Sequence, residues 1–111
     1  MATIAPAAPQ TTAFPITAVE TCLHDELMQT IKSMAKIKGI ALPSIDAQIR
    51  AMPVQVDSLV CVDILCAVEP IIGIELPESV VKAGGYGSID NAIKNLIPRI
   101  EAEWKKKGGK P

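Results

Sequence analysis

Apolar residues recur at helical intervals from Val19 onward. Val19, Leu23, Leu27, Ile31 and Met34 are spaced four, four, four and three apart, one stripe on a helix of about five turns. Thr17 and Glu20 stand at the spacing of a capping box, in which a hydroxyl and a carboxylate satisfy the free amides of a helix start. Gly39 provides the left-handed residue that ends such a helix. A second stripe, Leu59, Val62, Leu65 and Val68, is widened by Ile64 and Ile72 and predicts a helix opening at Asp57. Pro70 has no amide proton for the Cys66 carbonyl, so this helix is expected to end near Glu69 or kink before Gly73. A short third helix is expected over 78–83, behind Pro77. Ser88 caps a fourth, carrying Ile89, Ile93, Leu96, Ile97, Ile100 and Trp104, which Pro98 kinks or restarts. No segment alternates as a strand does. The pattern predicts an all-α chain, a bundle of four helices of about 20, 13, 6 and 17 residues, with a short third helix and a long first loop.

That loop, residues 40–56, holds Pro43 and Pro53 and irregularly spaced apolar residues. A connection so long and so apolar must pack down, with a turn of helix near 46–49. Gly84-Gly85-Tyr86-Gly87 reads as a flexible link. It is not a phosphate loop, since no strand precedes it and the Lys-Ser/Thr pair is missing. The chain divides into an uncharged Ala/Pro/Thr-rich arm (1–16), a helical domain (17–104) and a Lys/Gly-rich tail (105–111), both ends being expected to be flexible.

Composition narrows the function classes. With 49% hydrophobic and 21% charged residues among 111, the chain is globular in character, and 3% aromatics leave the core to aliphatic side chains. The formal net charge is −1, yet residues 51–81 carry five acids and no Lys or Arg. A basic face for nucleic acid is therefore not expected in mid-chain. No run of about 18 apolar residues suits a membrane span, and the start lacks the pattern of a secretory signal. Cys22, Cys61 and Cys66 are an odd, widely spaced set with one histidine, His24. They form neither a disulfide framework nor a zinc site, and fit a reducing cytoplasm. His24 reads as a solvated helix residue. No catalytic grouping can be assembled, so an enzyme is not expected.

The informative segment is Val56-Asp57-Ser58-Leu59. With Asp57 as N-cap, Ser58 is the first helical residue, its hydroxyl at a positively polarised helix end that favours a phosphate ester. Asp-Ser alone is a common helix start. The context adds Val62, Asp63, Ala67-Val68-Glu69 and Gly73-Ile74-Glu75-Leu76-Pro77-Glu78. Together these resemble the acyl carrier protein family, whose second helix begins Asp-Ser-Leu and whose following loop commonly reads Ile-X-Ile/Leu-Pro-Asp/Glu. The likeness covers about residues 18–100.

The resemblance implies that Ser58 carries 4′-phosphopantetheine, donated by coenzyme A through a phosphopantetheinyl transferase. It implies a carrier holding acyl thioesters for loading and processing enzymes (a ligase, synthase or acyltransferase) of fatty-acid, polyketide or related biosynthesis. It maps partner recognition onto Asp57, Leu59, Val62, Asp63, Cys66 and Glu69. It places Ile64, Val68, Ile72, Ile74 and Leu76 in the core and in the cleft where acyl chains shelter. A monomer with no metal is expected.

Pro53-Val54-Gln55 stands where the family usually has Asp-Leu-Gly, Val60 and Cys61 replace polar residues, and Pro70 replaces an acid. Such a second helix is less acidic and stickier, which suits dedicated partners or weak self-association. Peptidyl carriers usually show Gly-Gly-X-Ser, unlike Val56-Asp57-Ser58, so acyl cargo is preferred. A carrier-like bundle that is never modified and serves as a binding or scaffold subunit is the alternative. A carrier domain excised from a larger synthase is a third reading, against which Met1 and the Lys-rich end favour a free-standing chain.

Overall fold

The computed structural model describes residues 13–107. Most of the expected arm (1–12) and the end of the expected tail (108–111) lie outside them. Four α-helices follow in order: α1, Ile16–Lys38; α2, Asp46–Ala51; α3, Ser58–Ile72; and α4, Ile89–Lys106. A three-residue 3-10 helix, Glu78–Val80, lies between the last two. The described residues are all helical in class, with one isolated antiparallel bridge between Val56 and Tyr86.

The stripes read from the sequence become the core. Val19, Leu23, Leu27 and Ile31 of α1 are buried, as are Ile64, Leu65, Val68 and Ile72 of α3 and Ile89, Leu96, Ile100 and Trp104 of α4. Helices of this length gain most of their stability by burying an apolar face, so α1 packs on both α3 and α4. The loop of residues 40–56 does pack down. Its α2 lies on α4 through buried Ile49, and Lys32 of α1 faces Asp46 at 3.6 Å.

Several boundaries differ from the sequence pattern. No capping box forms: α1 starts at Ile16 with Pro15 as N-cap and no side-chain cap. Phe14 packs edge-on against Trp104, ring centroids 5.5 Å apart, and its carbonyl accepts from the Ile16 amide at 2.8 Å. This aromatic anchor sets where the chain turns into helix, leaving Thr17 in the first turn and Glu20 just beyond it, both exposed. The last residues of the expected arm are thus docked on the core, and Lys105 and Lys106 of the expected tail are the end of α4.

Neither Pro70 nor Pro98 ends its helix. Both are exposed, as are Cys66 and Lys94 four residues earlier, so the carbonyls they deprive of a donor face water. α3 closes at Gly73, whose φ of 75° and bond to the Glu69 carbonyl form a left-handed cap. The short third helix spans three residues rather than six. Val81 is extended, and a turn followed by extended chain buries both Val80 and Val81.

Trp104→Ala removes the anchor of both chain ends of the described body. It should lower unfolding free energy by about 3–5 kcal/mol, read as a fall in urea midpoint by circular dichroism.

Candidate functional site

Two stretches of non-helical chain meet at the mouth of α3. Val56 and Tyr86 exchange backbone hydrogen bonds, at 2.7 Å from the Val56 amide and 2.9 Å from the Tyr86 amide. The Val54 amide donates to the Gly87 carbonyl at 2.9 Å, and Gln55 Nε2 donates to the Gly84 carbonyl at 2.9 Å. Residues 84–87 are therefore a wall of the site and not the flexible link expected.

Gly85 makes that approach possible. Its φ is +78°, and a Cβ there would collide with the Val56 carbonyl oxygen and stand 3.1 Å from the Ser58 amide nitrogen. Both conditions demand glycine. Tyr86 locks the turn from within: its hydroxyl donates to Asn95 Oδ1 at 2.6 Å and accepts from the Lys82 amide at 3.0 Å. Sequence reasoning missed Gly85 and Tyr86. The available signal was a lone tyrosine beside a glycine pair in an otherwise aliphatic chain.

Asp57 is the N-cap of α3, its Oδ1 accepting from the Leu59 amide at 3.0 Å. One oxygen of this exposed carboxylate is committed to the backbone, and the Cys61 amide already bonds the Asp57 carbonyl. The Ser58 and Val60 amides are left without a helical acceptor. Ser58 is half-buried, its hydroxyl set at the positive end of a fifteen-residue helix. Such an end stabilises an added anion.

The remaining candidates divide by face. Leu59, 73% exposed, leads a solvent-side strip with Asp63 and Cys66, beside half-buried Val62. Glu69 lies at its end, but its Oε2 accepts from the Leu76 amide at 2.8 Å, which latches the loop after α3. Ile64, Val68, Ile72 and Leu76 are core residues, and Ile74 is half-buried against them. Cys61 does not add to an exposed sticky surface as expected. It is fully buried and Val60 half-buried, so Leu59 and Ile71 are the large apolar residues that α3 exposes.

Burial, and then the Asp57 carboxylate, push the Cys61 thiol up to about 11. Burial raises Cys22 as well, aided by Glu26 and Asp25. His24 Nδ1 lies 3.0 Å from Asp25 Oδ1 on α1. Among the described residues no group of three or more His, Cys, Asp or Glu is placed to hold a metal, and no helix is long and apolar enough to cross a membrane. No family model, curated protein or solved structure matches this chain.

Gly85→Ala should lower stability by at least about 2 kcal/mol and shift the Ser58 amide resonance, through positive φ and collision together. Gly84→Ala, with φ of +88° but open space around it, should lose only about 1 kcal/mol. Native protein at pH 8 should be alkylated at exposed Cys66 while Cys61 stays protected. Because the folded state keeps the Cys61 proton from 9.0 to about 11, this thiol's contribution to stability is full below pH 9 and is lost as pH rises through that window. Cys61→Ala should make the decline in urea midpoint across that window shallower.

Proposed function

We propose that this chain is a carrier protein of acyl carrier type, modified at Ser58 with 4′-phosphopantetheine. The observation that carries the reading is the mouth of α3. Ser58, a half-buried residue, stands at the first position of a long helix, capped by Asp57 and buttressed by Gly85. The residues fit the group, since a phosphodiester on Ser58 Oγ meets amides without helical acceptors and a favourable dipole. In the loading reaction the Ser58 oxygen loses its proton and displaces the adenosine bisphosphate half of coenzyme A, with a separate transferase supplying catalysis. Once attached, the arm supplies a thiol that holds acyl groups as thioesters.

The protein's own residues then have three tasks. Asp57, Gly85 and Tyr86 hold Ser58 in place on a rigid support. The strip of Leu59, Val62, Asp63 and Cys66 offers an apolar centre with acids at Asp57 and Asp63, suited to small transient contacts with basic partner surfaces. Glu69 closes the α3 loop and turns one oxygen inward, so it contributes less to that surface than Asp63. Tethering raises the effective concentration of cargo at each partner enzyme. The runner-up, an unmodified scaffold, draws on Pro53-Val54-Gln55, a segment that contributes hydrogen bonds to the 84–87 turn.

Intact mass before and after incubation with coenzyme A, magnesium and a promiscuous phosphopantetheinyl transferase tests the reading. A gain of one phosphopantetheine, lost in a folded Ser58→Ala variant, is the expected result. No gain on well-folded protein, with a cognate transferase as well, makes the scaffold the better account.

A further inference from the structure

We propose that the space between α1 and residues 40–55 is a binding site for one unbranched aliphatic chain, taken up as the tail of cargo tethered at Ser58. The cavity measures about 280 Å³ and opens to solvent on one side, space enough for a medium-length aliphatic chain, for which an octanoyl group is a suitable probe. Ile31, Met34, Leu42, Met52 and Val54 contribute to its lining, and Lys38 and Gln55 are its polar residues. No carboxylate is among the lining residues, so an apolar chain displaces water there without stranding an acid. Met34 and Met52 adapt to a flexible guest. Ile40, which also lines the cavity, remains 53% exposed and extends apolar surface out to solvent.

Position supports the same occupant. Pro53, Val54 and Gln55 form part of the wall, and Gln55 precedes Ser58 by three residues, a Cα separation of at most about 11 Å. A phosphopantetheine arm is longer than that. The Val54–Gly87 and Gln55–Gly84 hydrogen bonds keep this wall fixed beside the attachment point. By contrast, Ile64, Val68, Ile72 and Leu76 are buried at 4%, 0%, 8% and 8% exposure as part of the packed core. The tether rests on the carrier reading above, whereas the apolar chemistry of the cavity does not.

The test uses the full chain loaded at Ser58 from octanoyl-coenzyme A, with loading read by intact mass. Nuclear Overhauser contacts from the octanoyl methylenes to the Met34 and Met52 ε-methyls are expected, and the octanoyl thioester should hydrolyse several-fold more slowly than the acetyl one. Contacts running instead to Ile64, Val68 and Ile72, or to no protein methyl, overturn the assignment. If Ser58 accepts no arm, free octanoate is titrated into the unmodified chain. Contacts to Met34 and Met52, weakened by Lys38→Ala through loss of its charge, would then keep the site as a fatty-acid site and remove the tether. Absence of contacts removes the site itself.

Discussion

The paired backbone hydrogen bonds between Val56 and Tyr86 are the constraint on which the candidate site at the mouth of α3 depends. A lone bridge of this kind has little stability by itself. It persists because both ends are secured elsewhere. Val56 is buried, and Tyr86 is held through its hydroxyl by Asn95 of α4. The bridge brings residues 84–87 so close to the start of α3 that glycine alone fits at position 85. It thereby joins α3 to α4, two helices separated by a long and mostly irregular connection. A serine at a helix start is ordinary, and a serine held at a helix start by a second chain segment is a positioned group.

The helices around this junction are organised by burial rather than by local signals. Phe14 against Trp104 overrides the Thr17 capping pattern at one end of α1, because an aromatic pair buries far more surface than one cap can offset. The two internal prolines are tolerated because each occupies the solvent side of its helix. The carboxylate of Glu69 has its own packing role. It satisfies the Leu76 amide and holds the loop after α3, where an unpaired amide would otherwise be costly.

For the proposed carrier, these features separate two demands on one helix. The inner face of α3 must hold the core together, and the outer face must meet partners briefly. Cys61 and Cys66, five residues apart, fall on opposite sides of that division: one is fully buried with a raised thiol pKa, the other exposed. The cargo site inferred beside α1 extends the division. It leaves the inner face of α3 packed and uses the first loop, whose apolar residues exceed what a plain connection requires.

Periodicity alone determined the helical class and the inward faces of α1, α3 and α4, since burial repeats at the helical period and the chain writes that period into its apolar positions. The caps at Asp57 and Ser88 and the glycine stop at Gly39 were legible for a similar reason, each being satisfied by residues within a few positions. Tertiary structure decided the rest. The start of α1, the continuation past Pro70 and Pro98, the burial of Cys61 and the ordering of residues 84–87 all depend on partners distant in sequence or on the direction of solvent. Gly85 against Ser58 is the clearest instance. Neither residue carries any mark of the other along the chain, and only the folded backbone brings a missing Cβ to the place where it matters.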